Sequence, residues 1–395
     1  MSAYAATVWG AYLALVLAAF GRSRLFGVFV LVILSFPAGI GLALRDHLGL
    51  LAPVIPAFQI AAALQLGSLL LRPSMKPWPL RLLISWPGSW FIAATFLAFP
   101  WGLAAAFGFT PYGAWIPFAL AAGGLVQSLW TREEVVDLQL QPGFDAGPLD
   151  RYEAGVGEPP DAAHRRPLNI VQITDPHLGP FMSVARLQRI CQRAVDREPD
   201  LILITGDLMT MESHDVDIVT RALEPLRAYP GRVFACHGNH DHEAREVVRI
   251  AYERTGVTLL VDESTVVQTP AGAVQLVGLD FVWRNRDAHV NMVCREHPRQ
   301  PGALRLLLLH DPGAFHHVPC GEGDLVLSGH THGGQVGLLS LGSVQTFLSL
   351  FTKIPDHGPW ARGPDRLYVH RAQGHYGFPI RLGVPGEQSL LRVWT

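Results

Sequence analysis

The first 130 residues carry almost no charge. Residues 3–20, 25–44, 49–71, 82–109 and 114–130 are apolar runs without a charged side chain. A helix needs ~20 such residues to cross the hydrocarbon core of a bilayer. One run of this kind suits a buried core helix, but five in succession leave a soluble helical bundle no polar face. The runs predict an all-α, multi-span transmembrane domain of about five helices over residues 1–130. Composition agrees: hydrophobic residues make up 49% of the 395-residue chain and charged ones 16%, against ~25% charged in an average soluble protein. The first run reads as a span and not a cleavable signal peptide, because a basic leading segment is missing and further spans follow. No ionisable residue falls mid-span, so nothing marks a transport path.

The loops set an expected orientation. Arg22 and Arg24 lie between the first two runs, and Arg72, Lys76 and Arg81 between the third and fourth, whereas the intervening loop holds only Arg45 beside Asp46. Basic loops stay in the cytoplasm, which places the N-terminus outside. Five spans of a bacterial-type inner membrane then leave the second half cytoplasmic; if the last run does not span, that half is extracytoplasmic. The tryptophans around the fourth run (Trp78, Trp86, Trp90, Trp101) suit interfacial anchoring. Net charge is −2, which gives no electrostatic footprint for nucleic acid. Cys191, Cys236, Cys294 and Cys320 lie far apart and read as buried or free thiols, not as a disulfide framework.

Residues 131–167 change character. Val135 to Leu140 alternates weakly, as an edge strand would, and a Pro- and Gly-rich stretch then marks a linker. From residue 168 onward, strand-like runs recur at 168–173, 201–204, 232–235, 257–261, 274–278, 304–309 and 325–327. Helical spacing separates the first three, with apolar residues at Val184, Leu187, Ile190 and Ala194, then at Ile218, Val219, Ala222 and Leu226. Alternating strands and helices predict a layered α/β domain over 168–395, with ligands at the carboxyl ends of the strands.

Those ends carry the chemistry. Asp175-Pro176-His177, Gly206-Asp207, Gly238-Asn239-His240-Asp241, Leu309-His310 and Gly329-His330-Thr331-His332-Gly333-Gly334-Gln335 each close an apolar run. Any one His pair suits a solvated loop. Five clusters of carboxylate, imidazole and amide oxygen in one domain form the mixed donor set that divalent Mn, Fe, Zn or Co accepts.

The ordered motifs resemble the calcineurin-like metallophosphoesterase superfamily, and the Gly-His-Thr-His-Gly-Gly-Gln form with Pro379-Ile380-Arg381 and Pro385-Gly386-Glu387 is similar to its membrane-associated, YkuE-type phosphodiesterase branch. The resemblance implies an αββα sandwich of two mixed sheets and a centre for two divalent metals. It makes Asp207 the bridging ligand, with Asp175, His177 and His332 on the first metal and Asn239, His310 and His330 on the second. A hydroxide held between the metals then attacks phosphorus, His240 is the catalytic acid for the leaving oxygen, and Asp241 holds its imidazole. His237, His242, His316, His317 and His375 read as loop or packing residues, and Arg381 as either a phosphate contact or a structural ion pair.

Two departures bear on substrate preference: Asp311-Pro312 follows His310 where the branch has proline before aspartate, and His370-Arg371-Ala372-Gln373-Gly374-His375 replaces an Arg-Gly-x-Gly pattern. The apolar stretch 338–351 after the metal loop reads as packing under a loop, or as a flap that admits an acyl chain or rests on a bilayer. The expected function is hydrolysis of a phosphoester or pyrophosphate bond, with a phospholipid or lipid-linked nucleotide favoured by the spans. A non-catalytic metal-binding sensor would lack a ligand or His240, and a transporter would show intramembrane charge; neither mark is present.

Overall fold

The computed structural model describes residues 2–71, 74–140, 148–210, 214–375, 377 and 379–395. It divides into two compact units, Met1–Leu129 with Tyr376–Leu382, and Trp130–His375 with Gly383–Thr395.

The first unit is helical: α1 (Ala3–Arg22), α2 (Arg24–Leu44), α3 (Ile55–Leu71), α4 (Trp78–Leu80), α5 (Trp86–Leu97), α6 (Phe99–Ala106) and α7 (Ile116–Ser128). A π-turn over residues 81–85 joins α4 to α5. Among the described residues, four stretches are long and apolar enough to cross a membrane: Ala3–Arg22, Phe26–His47, Gly49–Leu71 and Trp78–Leu97. The expected fifth span is corrected here. Its run folds as α7, which has 13 residues and at 1.5 Å per residue reaches only about 20 Å, short of a ~30 Å hydrocarbon core. The helices are apolar all round, with Leu17, Val32 and Leu64 exposed, as lipid-facing surfaces require. Buried polar side chains bond to backbone carbonyls: Gln59 Nε2 donates to the Pro37 carbonyl and Tyr12 Oη to the Gln59 carbonyl, both at 2.9 Å. Close approach of α5 to α3 depends on Gly88, where a Cβ would lie 2.6 Å from the Ala61 carbonyl oxygen. Small residues serve this purpose where lipid removes the hydrophobic drive for helix association.

The second unit follows α7 after Leu129 and Trp130. In chain order it comprises β1 (Thr131–Gln139), β2 (Asp150–Arg151), β3 (Leu168–Ile173), α8 (Val184–Asp196), β4 (Leu201–Ile204), α9 (Val216–Leu223), β5 (Val233–Ala235), α10 (Arg245–Thr255), β6 (Thr258–Leu259), β7 (Glu263–Thr269), β8 (Gly272–Gly278), α11 (Arg286–Glu296), β9 (Leu304–Leu308), β10 (Leu325–Ser328), α12 (Phe347–Phe351), β11 (Gly358–Arg362), β12 (Asp365–Val369) and β13 (Gly386–Trp394). Among the described residues they form a six-stranded sheet, β1-β13-β3-β4-β5-β6, and a seven-stranded sheet, β2-β11-β12-β10-β9-β8-β7. Both are mixed: β3, β4 and β5 run parallel, as do β8, β9, β10 and β12, while β13 is antiparallel to β3 and β7 to β8. The stretch read as a linker therefore contributes a strand to each sheet.

Strand periodicity explains the layering. Successive side chains point to opposite faces, so Leu306 and Leu308 of β9 join Ile170, Leu201, Leu203 and Phe234 in the core between the sheets. Leu307 and Leu309 turn the other way, toward Val290 and Val293 of α11. The parallel strands are buried on both faces, which is why they read as uninterrupted apolar runs. Truncating Leu306 or Leu203 to Ala would cost about 2–5 kcal/mol.

Candidate metal centre

The predicted ligands lie on the turns that leave β3, β4, β5, β9 and β10 at their carboxyl ends, and the fold gathers most of them into two groups. Asp175, His177 and His332 form one and Asp207, His310 and His330 the other, with donor atoms within 4.8 Å of one another in each. Asp207 Oδ2 lies 3.3 Å from His310 Nε2 and 3.7 Å from His177 Nε2, so a single carboxylate faces a histidine of each group. Asp175 Oδ1 lies 3.3 Å from His332 Nε2 and 3.8 Å from His177 Nε2. Asn239 sits between Gly238 and His240. The His240 N–H donates to Asp207 Oδ1 at 2.8 Å.

Small residues and unusual backbone make this crowding possible. A Cβ at Gly238 would lie 2.1 Å from Asp207 Oδ1, and one at Gly329 would lie 2.1 Å from Asp175 Oδ2. Asp175, His177, Asp207, His330 and His332 all take positive φ, between 48° and 68°. Left-handed conformations are uncommon for residues with a Cβ; such strain costs about 1–3 kcal/mol per residue and collects at functional sites.

The donors suit divalent cations. His310 Nδ1 lies 2.7 Å from the Thr205 carbonyl and His177 Nδ1 lies 3.2 Å from the Met209 carbonyl. A carbonyl only accepts, so each Nδ1 carries a proton, and each ring, when neutral, would present its Nε2 lone pair on the side of the carboxylates, the orientation a metal requires. The buried Oδ1 of Asn239 has no hydrogen-bond partner among the described residues. His177 Nε2 and His332 Nε2 stand 3.2 Å apart, as do His310 Nε2 and His330 Nδ1. Nitrogen pairs at that distance bring lone pairs together unless a cation or proton intervenes.

Electrostatics tell the same story for the metal-free chain. Burial opposes the charge on Asp175, yet His332 and His310 outweigh it and hold the carboxyl well below the usual range. Burial also disfavours protonated His310, but Asp207 and Asp175 raise it to about 10. Burial pulls His177 down to about 3, against the opposing charge of Asp207. A protonated His310 thus offsets one of the two acid charges, and a bound cation would take the place of that proton.

His240 and Asp241 divide their work differently from the expectation. Asp241 does not turn to the His240 ring. Its Oδ2 accepts from the Asp207 and Gly238 amides and its Oδ1 from the Leu208 amide, all at 2.9 Å. Three backbone donors fix it as the clasp of the Asp207 loop. The His240 Nδ1 instead lies 2.9 Å from Glu243 Oε1. Burial lowers the His240 pKa, but the Glu243 bond and the Asp207 charge overcome this and raise it. The His240 ring stands 5.3 Å from that of His177, centroid to centroid.

Arg381 and Asp311 lie outside both donor groups. Arg381 is fully buried and belongs to the helical unit, where its backbone amide donates to the Gly124 carbonyl at 2.9 Å. Asp311, displaced from the branch pattern, caps Gly313 and pairs with Arg286 at 2.7 Å. Residue-level reading missed two supports. Glu243, three residues beyond His240 on a 3-10 turn, was visible as an i,i+3 pair. Gln373, fully buried, accepts from the Thr174 amide and donates to the Gln172 carbonyl, so the segment that departs from the branch pattern buttresses the Asp175 loop; no local signal marks it.

Residues 168–334 match the calcineurin-like phosphoesterase family. The chain is 30% identical over 234 residues to Phosphodiesterase YaeI of Escherichia coli, covering 58% of this chain and 82% of that one. It is 28% identical over 219 residues to the uncharacterized metallophosphoesterase YkuE of Bacillus subtilis, covering 54% and 74%. To UDP-2,3-diacylglucosamine pyrophosphatase LpxG of Chlamydia trachomatis it is 26% identical over 289 residues, covering 59% and 86%. With the two sheets and two donor groups above, this defines a metal-dependent phosphohydrolase. The chain belongs to the calcineurin-like phosphoesterase family.

Proposed function

We propose that this chain is a membrane-anchored, two-metal phosphodiesterase or pyrophosphatase whose substrate carries a lipid. The observation that carries the two-metal reading is Asp207 Oδ2, placed between a histidine of each donor group. Asp175, His177 and His332 would hold one cation, Asn239, His310 and His330 the other, with Asp207 between them. Divalent cations bound there supply Lewis-acid charge for a phosphoryl oxygen and lower the pKa of bound water toward ~7. The chain's own groups do the rest. His240, hydrogen-bonded to Glu243, which raises its pKa against the pull of burial, would give its proton to the departing oxygen. Asp241 fixes the Asp207 loop so that both oxygens of Asp207 keep their direction.

The lipid reading draws on the four apolar helices and on the pyrophosphatase name of one relative. Four crossings with basic loops inside return the chain to the side of its N-terminus, so the phosphohydrolase unit is extracytoplasmic in this reading, in a bacterial-type inner membrane. An alkaline phosphatase fused after Thr395 is then active; an inactive fusion, with stable expression, reverses the placement. The activity test uses the full chain in detergent, because a fragment starting at residue 150 would lose β1, which pairs along its whole length with β13. Hydrolysis of bis(p-nitrophenyl) phosphate with added Mn is expected, and no turnover with any divalent metal in folded protein would favour the metal-binding sensor.

A further inference from the structure

The loop after the His330–His332 turn, read as packing or as a flap, exposes its apolar side chains. Leu341 is 81% exposed, Phe351 72%, Leu350 68% and Phe347 58%. These lie on a short turn at Leu339–Leu341 and on α12, where the Phe347 and Phe351 ring centroids are 4.9 Å apart with the planes tilted by 56°. The segment is nonetheless ordered. Thr346 and Ser349 form a reciprocal capping box at the start of α12, the Phe347 amide donates to the Val336 carbonyl at 2.7 Å, and Leu338 to Gln345 at 2.9 Å. Large apolar side chains held rigidly in water forfeit about 1.5–3 kcal/mol each relative to burial. A fixed patch of them marks a surface that is covered in use.

We infer that the flap 338–354 is a bilayer-docking element, seated at the boundary of headgroups and acyl chains. The occupant is argued from charge and tether. Residues 336–355 contain no Asp or Glu, and Lys353 is the one lysine after residue 76. An exposed lysine beside apolar rings is the arrangement of an interfacial helix, its ammonium reaching anionic headgroups while the rings sit below. Only Leu129 and Trp130 separate α7 from β1, so the unit that carries the flap is tied by a short link to a chain with four helices of crossing length.

The flap is also wired to the metal loop. Thr346 Oγ1 donates to Asp356 Oδ2, and the backbone carbonyl of the same Asp356 accepts from Thr331 Oγ1 at 2.7 Å, between His330 and His332. A Cβ at Gly334 would lie 3.0 Å from the Leu348 Cβ. Docking therefore holds the His330–His332 turn at the lipid surface, where a lipid-borne phosphoester need not leave the bilayer to reach the metals. The inference rests on the membrane half of the proposed function and not on the reaction.

The test is depth-dependent quenching on the full chain. In a Cys320→Ser background, where the remaining cysteines are buried, an NBD dye is placed at Leu341→Cys or Leu350→Cys. Val32→Cys, on an exposed face of α2, is the membrane control and Glu296→Cys, on α11, the solvent control. The protein is reconstituted in vesicles of phosphatidylcholine and phosphatidylglycerol with doxyl-labelled acyl chains. Emission at positions 341 and 350 is expected to shift to the blue and to be quenched by doxyl lipid at least about twofold, as for an interfacial helix, while position 296 is not quenched. Flap labels that behave like position 296, with position 32 quenched, overturn docking and leave the membrane reading intact. An unquenched position 32 sinks both. Flap quenching that ignores doxyl and grows with protein per vesicle assigns the face to a second copy and overturns the inference. Metal-dependent turnover read on the same vesicles reports the reaction separately.

Discussion

Among the described residues, three groups of acids and imidazoles gather at strand ends in the phosphohydrolase unit, yet two of them differ in kind from the third. Asp175 and Asp207 meet only histidines among their ion-pair partners in the described residues. His237, His242 and Asp280 make the third group, and there Arg245 already supplies a cation. Its guanidinium lies 3.0 Å from Asp280 Oδ2 and 2.9 Å from His242 Nε2. Spacing of donors alone does not define a metal site. The first two groups are short of positive charge, whereas the third carries its own, and a divalent ion added beside Arg245 would pay Coulomb repulsion.

The largest effect should come from the residue that joins the first two groups. Asp207→Asn removes one charge from a position facing both, and the expected loss is several kcal/mol of transition-state stabilisation, on the order of 10³-fold in turnover or more. Elemental analysis of purified protein should find less metal per chain than in the wild type. Full metal content with full activity would remove Asp207 from the bridging position. Next comes His240→Ala. Loss of a general acid costs about 10²–10⁴-fold, and metal content should hold, because the ring is not among the donors. Metal lost along with activity would recast His240 as a ligand. Glu243→Gln should reproduce a smaller part of the loss.

How much of this was legible beforehand follows from where the information sits. The candidate metal ligands follow apolar runs, so periodicity found the strands and the motifs found their ends. Strands β11, β12 and β13 escaped because Arg362, Asp365, Arg366, Glu387 and Arg392 interrupt their apolar pattern. Those charges are tolerated through partners distant in sequence, such as Arg371 for Glu387 and Asp137 for Arg392. The helical half was easy to recognise and hard to count. Composition marks every run as apolar, but whether 17 such residues form one crossing helix depends on where the chain bends, and residues 114–130 spend two on a turn before α7 begins and two after it ends. The clasp role of Asp241 was hidden for a similar reason: a side chain bonded to three backbone amides leaves no sequence pattern.

A medium effect tests the third group directly. Asp280 has burial against its charge, but the His237 and His242 bonds outweigh that and hold it below the ordinary carboxylate range. Asp280→Asn should therefore destabilise the unit by about 1–3 kcal/mol, the usual cost of weakening a largely buried hydrogen-bonded charge, read as a lower denaturant midpoint. Metal per chain should stay at the wild-type value. A fall by one metal ion per chain would place a third cation there and erase the distinction drawn from Arg245.

The smallest effect is the most diagnostic in sign. His289 Nε2 on α11 lies 2.9 Å from both Asp262 oxygens, and that bond, against the pull of burial, raises its pKa. A raised folded pKa contributes stability that is fully present below the unfolded value of about 6.5 and is lost as pH rises through the folded one. His289→Gln should thus lower the melting temperature most near pH 6 and least near pH 9, by no more than about 1 kcal/mol for a partly exposed pair. A metal-held imidazole has the opposite dependence: it binds only when neutral, so metal stabilisation grows as pH rises. Melting curves of wild type and His289→Gln, each with Mn and with chelator, separate the two signs in one protein. If the His289→Gln deficit widens toward alkaline pH, its imidazole is not held by a proton, and charge balance is not what distinguishes acid-held from metal-held histidines in this fold.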